Sequence, residues 1–231
     1  MNRRVLVVVI CLALIAAFGA AVLFKPQPQQ PQNTAATTEK PIATAQPVAN
    51  QQALVRFHSP TFGPANAPVT IVEFFDPSCE ACRAFYPIVK QILAEYPGQV
   101  RLVLRYTLFH QGSEEVSRML EAARLQNVYE PVLEAVLEVQ PAWHDDPEVI
   151  RAWEAAEAAG LDLAQARADI QSDRIDAILE KDMEDVKAFS IRGTPSFFVN
   201  GRRLTEFGAK PLLRLVQESL RNSEQSLSAG G

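Results

Sequence analysis

Cys79 and Cys82 lie three residues apart, where an apolar stretch gives way to an amphipathic one. The stretch Val69–Phe75 is rich in β-branched and aromatic residues and apolar at nearly every position, which is typical of a strand buried on both faces. From Cys79 onward, apolar residues recur at helical spacing until Pro97-Gly98 ends the pattern. A second apolar strand is predicted over Val100–Tyr106. The sequence therefore predicts a βαβ unit with the cysteine pair at its strand-to-helix junction.

The remainder of the chain predicts a helical block followed by a hairpin and a last helix. Residues from about 113 to 189 carry only helical periodicity. Two short predicted strands, Ser196-Phe197-Phe198-Val199 and Arg202-Arg203-Leu204, flank Asn200-Gly201, which is a strong signal for a two-residue β-hairpin turn. An amphipathic helix follows, and the polar residues 222–231 are predicted to be a disordered tail. One domain is therefore expected over residues 53–221.

The N-terminal segment, residues 1–24, predicts a membrane helix. An apolar run follows Arg3-Arg4 and would form a helix of about 30 Å, the thickness of the hydrocarbon core of a bilayer. The paired arginines favour a cytoplasmic N-terminus. The segment is interpreted as a signal anchor, with a cleaved signal peptide as the alternative. Residues 25–52 are rich in Pro and Gln and predict a disordered tether, so the domain is expected at the periplasmic face of the inner membrane, or free in the periplasm after cleavage.

Charge and cysteine content narrow the possible functions of residues 53–231. This part carries 18 Lys and Arg against 26 Asp and Glu, which argues against a nucleic-acid partner. Its only two cysteines are Cys79 and Cys82, so a disulfide framework is not expected. The three histidines, His58, His110 and His144, do not supply zinc-ligand spacing, and no partner can be named for His110. The sequence predicts a redox pair with neither metal nor cofactor.

The spacing of the two cysteines suits thiol-disulfide exchange. That reaction needs an accessible thiolate and a second thiol close enough to resolve the mixed disulfide. Cys79 is predicted at a helix N-terminus, where backbone N–H groups and the helix dipole lower a thiol pKa. Cys82 is predicted one turn later and partly covered. Cys79 is therefore the expected nucleophile and Cys82 the resolving thiol.

Three motifs occur in order along the chain. They are Gly63-Pro64-Ala65-Asn66-Ala67-Pro68, Glu73-Phe74-Phe75-Asp76-Pro77-Ser78-Cys79-Glu80-Ala81-Cys82 and Arg192-Gly193-Thr194-Pro195-Ser196-Phe197-Phe198-Val199-Asn200-Gly201. Together they resemble the DsbA-like branch of the thioredoxin superfamily. The resemblance covers roughly residues 62–220 and implies a thioredoxin-like α/β fold with an all-helical insertion over the active site. It also implies that the Thr194–Pro195 bond is cis and lies beside the cysteine pair, and that Pro87 kinks the active-site helix.

Two glutamates near the cysteines are predicted to have different effects. Glu73 stands in the otherwise apolar strand, where burial should raise its pKa and let it exchange protons with Cys82, and the resemblance implies the same role. Glu80 follows the nucleophile directly, where the best-known member of the family has Pro-His between its cysteines. A carboxylate there opposes the Cys79 thiolate, so this protein is predicted to be a milder oxidant. The predicted site comprises Cys79, Cys82, Glu73, Thr194 and Pro195, with Glu80 tuning it.

The predicted function is formation or relay of disulfide bonds in exported proteins. Its expected partners are exported client proteins and a membrane redox protein, either a quinone-linked oxidase or a transporter of reductant, and the domain is expected to be a monomer. A reductase or isomerase on the same fold is one alternative. Another alternative is a protein of a different class, which holds a soft metal ion between the cysteines or acts as a chaperone.

Overall fold

The structure, a computed structural model, describes residues 53–229. The predicted membrane segment 1–24 and the tether 25–52 lie outside the described residues. Among the residues described, no helix is both long enough and apolar enough to cross a membrane.

Five strands form one mixed sheet. They are β1 Thr61–Phe62, β2 Val69–Phe75, β3 Val100–Tyr106, β4 Ser196–Val199 and β5 Arg202–Arg203. Their order in the sheet is β1-β3-β2-β4-β5. The strands β2 and β3 run parallel, and the three other pairings are antiparallel. A helix connects β2 to β3, as is usual for a parallel pair.

Helices occupy the connection between β2 and β3, the long connection between β3 and β4, and the C-terminal end. The long connection carries five α-helices and one 3-10 helix among the described residues, so the predicted helical insertion is present. The helices are α1 Glu80–Glu95, α2 Ser113–Leu125, α3 Tyr129–Glu138, the 3-10 helix Gln140–Ala142, α4 Ile150–Ala158, α5 Leu163–Asp169, α6 Asp173–Ala188 and α7 Ala209–Ala229.

The two faces of the sheet bury different sets of side chains because successive residues of a strand point to opposite faces. Alternate residues of β2 and β3 on one face join the large core that includes both cysteines and α1. On the other face, Phe74 and its neighbours pack in a smaller core against the C-terminal part of α6. The strands are buried on both sides, which explains their nearly continuous apolar sequence.

The structure differs from the sequence-based prediction at three places. Helix α7 continues to Ala229, whereas a disordered tail was expected from Asn222. Neither Gly nor Pro interrupts residues 222–229, so the helix is not broken there. The hydroxyl groups of Ser223 and Ser226 donate to carbonyls one turn earlier. Strand β5 ends at Arg203, one residue early. Strand β1, only two residues long, has too little periodicity to be predicted.

Candidate active site

The cysteine pair lies at the junction of β2 and α1, as predicted. Cys79 is the N-cap residue of α1, with φ −78° and ψ 120°, and its carbonyl accepts the first helical hydrogen bond, from the Arg83 N–H at 3.1 Å. Cys79 is 6% exposed and Cys82 is fully buried one turn later. Both side chains are free thiols. Only the first sulfur is therefore open to a reaction partner.

The environment of Cys79 favours its thiolate and lowers its pKa to about 5. A hydrogen bond from the Cys82 thiol is the largest cause, and it outweighs the opposing effect of burial. The side chain of Thr194 and the backbone N–H groups of Cys82 and Ala81 add to the stabilisation. The helix start predicted from the sequence contributes through these N–H groups, but the neighbouring thiol contributes more.

The loop before β4 reaches the nucleophile. The Thr194–Pro195 bond is cis, which confirms the prediction made from the resemblance. The Cys79 thiol donates to the carbonyl of Thr194 with an Sγ–O distance of 3.3 Å. The Thr194 hydroxyl is buried and has no other partner among the described residues, so it is free to donate to the thiolate. The Thr194 carbonyl thus accepts a hydrogen bond from the Cys79 thiol, and the Thr194 hydroxyl donates one to the Cys79 thiolate.

Glu73 is buried on the cysteine-bearing face of the sheet. It is 1% exposed, and neither carboxylate oxygen has a hydrogen-bond partner among the described residues. Burial raises its pKa to about 8, with a smaller contribution from the charge of Cys79. The pKa of Cys82 is raised by burial, by its hydrogen bond to Cys79 and by the charge of Glu73. The predicted burial of Glu73 and the rise in its pKa are confirmed.

Asp76 binds the residues around the active site through its carboxylate, and it was not predicted as a site residue. It is fully buried, and its backbone N–H points to the Cys82 sulfur at 3.5 Å. One carboxylate oxygen accepts from the Ser78 N–H and the Ser113 hydroxyl, and the other accepts from the Phe109 and His110 N–H groups. The second oxygen also lies 2.8 Å from the His110 ring Nδ1. His110, for which the sequence suggested no partner, is thus fixed beside the active site. The only sequence signal is an Asp-Pro pair directly after a buried strand.

Gln140, in the 3-10 helix of the insertion, was also missed. Its side-chain amide donates to the carbonyls of Pro77 at 2.6 Å and Cys79 at 3.1 Å. Its side-chain oxygen accepts from Arg83 Nε at 3.1 Å. The helical insertion therefore holds the backbone of the cysteine loop directly. No local pattern marks Gln140 for this function.

Glu80 projects away from the core. Its side chain is 68% exposed, and its Oε1 lies 3.8 Å from His144 Nε2. The structure thus brings together Cys79, Cys82, Glu73 and Thr194, and leaves Glu80 largely in solvent. Screening by water weakens its effect on the Cys79 thiolate.

Comparison with known families and proteins agrees with this geometry. A thioredoxin family model matches residues 57–218. Among curated proteins, the Na(+)/H(+) antiporter NhaA 3 of Salinispora tropica is 33% identical over 148 residues, a match that covers 61% of this chain and 21% of the antiporter. The chain thus spans about a fifth of the length of that relative.

Two solved structures illustrate proteins with a similar fold. A thioredoxin-like oxidoreductase from Silicibacter pomeroyi aligns with a TM-score of 0.64 and 25% identity, over 75% of this chain and 98% of that chain. The α-DsbA1 protein of Wolbachia pipientis aligns with a TM-score of 0.67 and 16% identity, over 78% of this chain and all of that chain. The second likeness is one of fold alone.

Proposed function

This chain belongs to the thioredoxin family, and from that premise we propose that it is a DsbA-like thiol-disulfide oxidoreductase, which forms or relays disulfide bonds in exported proteins through Cys79 and Cys82. The observation that carries the proposal is a stabilised, partly accessible sulfur on Cys79 beside a covered thiol on Cys82. This asymmetry suits an enzyme whose clients attack one sulfur only.

The proposed reaction begins with the oxidised pair. A client thiolate attacks the Cys79 sulfur, a client–Cys79 disulfide forms, and the Cys79–Cys82 bond breaks with its electron pair on Cys82. A second client thiolate then attacks the client sulfur of the mixed disulfide and expels the Cys79 thiolate. The client loses two electrons and the protein gains them. Because the Cys79 pKa is about 5, this leaving thiolate is stable at neutral pH.

Glu73 is proposed to supply the proton that Cys82 requires. The raised pKa of Cys82 means that its thiolate cannot persist once the disulfide opens. Glu73 has a pKa of about 8 and is therefore protonated at neutral pH, and it interacts electrostatically with Cys82 in the same core. Transfer from the carboxyl group to the Cys82 sulfur neutralises the thiolate. In the reverse direction the carboxylate takes the proton back.

The direction proposed is oxidation of clients. A stabilised thiolate stabilises the reduced form of the protein, which makes its disulfide a better oxidant. Thr194 and Pro195 are proposed to contact the mixed disulfide, because the Thr194 carbonyl already lies against the Cys79 sulfur. A membrane redox protein, either a quinone-linked oxidase or a reductant transporter, would then determine whether the Cys79–Cys82 pair is oxidised or reduced.

A trapping experiment tests the roles of the two cysteines. Cys79→Ser should abolish oxidation of a reduced two-cysteine peptide. Cys82→Ala should retain reaction at Cys79 and accumulate mixed disulfides, which non-reducing gels and mass spectrometry detect. Finding that iodoacetamide labels Cys82 before Cys79 in the reduced protein would contradict the assignment.

The proposed location is the periplasmic face of the inner membrane, with residues 1–24 as the anchor. An alkaline phosphatase fusion after Gln52 should be active, because that enzyme needs an oxidising compartment to form its disulfides. A matched cytoplasmic reporter fused at the same position is the control. An inactive phosphatase together with an active cytoplasmic reporter would overturn the location without affecting the chemistry.

A further inference from the structure

A groove of about 480 Å³ opens beside the nucleophile, between the loop after β3 and the loop before β4. Thr194 connects this groove to the reaction, because the Thr194 carbonyl accepts from the Cys79 sulfur at 3.3 Å. A client segment joined to Cys79 therefore passes this groove within a residue or two of its own cysteine. The residues that line it are Phe109, His110, Arg192, Gly193 and Thr194.

The groove differs in charge from the rest of the domain. Two of its lining side chains, His110 and Arg192, are basic, and none of its described lining residues is acidic. Residues 53–231 as a whole carry more acidic than basic side chains, 26 against 18. A basic groove on an acidic domain attracts anionic groups locally.

Arg192 is available to a ligand. It is exposed, and it forms no ion pair or hydrogen bond with any residue in the described part of the chain. It lies two residues before Thr194, on the same loop. Among other exposed arginines, Arg151 and Arg214 are paired with glutamates, whereas Arg174, which does not line the groove, has no such pair among the described residues. The guanidinium group of Arg192 is therefore available to bind a ligand in the groove.

His110 is a second basic side chain that lines the groove. Its ring Nδ1 lies 2.8 Å from a carboxylate oxygen of Asp76, and its side chain is about half exposed. Partial burial lowers the pKa of His110, but the hydrogen bond and charge of Asp76 outweigh it, so the pKa lies above its ordinary value. Asp76 itself is fully buried and does not line the groove.

We infer that this groove selects client polypeptides that carry an Asp or Glu side chain within a residue or two of the reactive cysteine, with Arg192 and His110 binding the carboxylate. The half-exposed ring of Phe109 adds an apolar contact for the rest of the client segment. The inference rests on the proposed function and names the class of client for the same site.

A rate comparison with matched peptides tests the inference. Two dithiol peptides would differ only in a Glu or a Gln next to the first cysteine, and stopped-flow or acid-quench assays would follow their oxidation by the oxidised full-length protein. After division by the rate of each peptide with a small uncharged disulfide, the Glu peptide should react about fivefold faster, which corresponds to about 1 kcal/mol. The preference should shrink at high salt.

Variants at Arg192 and His110 test whether the preference for the Glu peptide arises in the groove. Arg192→Gln should bring the ratio of the two rates close to one, Arg192→Glu should reverse it, and His110→Gln should reduce it. Arg174→Glu is the matched control, since Arg174 is an exposed arginine that does not line the groove, and it should leave the ratio unchanged.

Three outcomes would overturn the inference in distinguishable ways. Equal rates for both peptides, unaffected by Arg192→Glu, would remove the selectivity while the proposed oxidation stands. If Arg192→Glu slows reduced glutathione but neither peptide, the groove serves a small thiol with free carboxylates and not a polypeptide. If neither peptide is oxidised at all, the proposed function fails and the inference fails with it.

Discussion

The two faces of the central sheet bury ionisable side chains in opposite ways. On the face of the cysteines, Glu73 has no hydrogen-bond partner for either oxygen among the described residues. On the other face, the fully buried Arg105 donates to Asp182 at 2.9 Å, to Asp185 at 2.6 Å and to two backbone carbonyls. Glu73 and Arg105 are one position apart in register across β2 and β3, because Glu73 is opposite Leu104. Near neighbours in the sheet thus lie in very different environments.

The difference separates a group that titrates from a group that holds the fold together. Burial without a partner raises the pKa of Glu73 to about 8, so it can change protonation state near neutral pH. Asp185 shows the reverse, since hydrogen bonds from Arg56 and Arg105 outweigh burial and lower its pKa. His58 and the Tyr106 N–H complete the partners of Asp182. This paired cluster, which comprises Arg56, His58, Arg105, Asp182 and Asp185, supplies its buried carboxylates with hydrogen-bond partners. Glu73 has none among the described residues and is available for proton transfer.

The largest expected effect comes from breaking the paired cluster. Arg105→Met should lower the free energy of unfolding by about 3–5 kcal/mol, because it leaves Asp182 and Asp185 buried without their main partner. Urea denaturation monitored by tryptophan fluorescence measures it. The remaining folded fraction should keep the Cys79 pKa of the parent protein. Arg101→Met, on the same strand but half-buried and bonded to the Thr70 hydroxyl, is the control and should cost about 1 kcal/mol or less. Equal losses in both variants would contradict the comparison.

A pH-dependent effect on the free energy of unfolding is expected from Glu73, the buried carboxyl group without a hydrogen-bond partner among the described residues. In the unfolded chain a glutamate ionises near pH 4.3, whereas folded Glu73 stays protonated up to about pH 8. Between these values the unfolded state binds fewer protons at this site, so stability falls as pH rises, by about 1.4 kcal/mol per pH unit. Glu73→Gln should remove this slope.

The pH dependence that Glu73 gives to the unfolding free energy should be measured on the oxidised protein. With Cys79 in a disulfide, no thiolate titrates over the same range and obscures the slope. The difference in unfolding free energy between Glu73→Gln and the parent protein should grow from pH 5 to pH 8, whereas the difference for the exposed Glu80→Gln should stay flat. Glu73→Gln should also slow turnover with client peptides. A pH-independent difference would show that Glu73 ionises in the folded state at its ordinary pKa.

The smallest effect is expected from Glu80, whose solvent-exposed side chain should change the Cys79 pKa and the reduction potential only slightly. A carboxylate about 6 Å from the Cys79 sulfur opposes the thiolate by roughly 0.7 kcal/mol in water, and the 68% exposure of Glu80 places it at this weak end. Glu80→His should lower the Cys79 pKa by about half a unit and raise the reduction potential by about 15 mV. Thiolate absorbance and glutathione titration measure the two changes. If neither moves, Glu80 does not set the redox potential.

Much of the site could be predicted from local sequence alone. The cysteine pair, its place at a helix start, the lone glutamate in an apolar strand and the Asn-Gly hairpin all depend on residues within one element or at its end. The cis bond at Pro195 came from the resemblance and not from the residues themselves. The extent of α7 was underestimated because its polar last turns carry no hydrophobic pattern.

The sequence by itself therefore determined the strand and helix order and the reactive pair. Tertiary structure decided which polar groups meet. His110 lies 34 residues from Asp76, Gln140 lies 63 residues from Pro77, and Asp182 lies 77 residues from Arg105. Periodicity carries no information about such distant pairs, because it reports only which face of its own element a residue occupies. Whether a buried charge is paired or free depends on those distant partners, and it is this that separates Glu73 from Arg105.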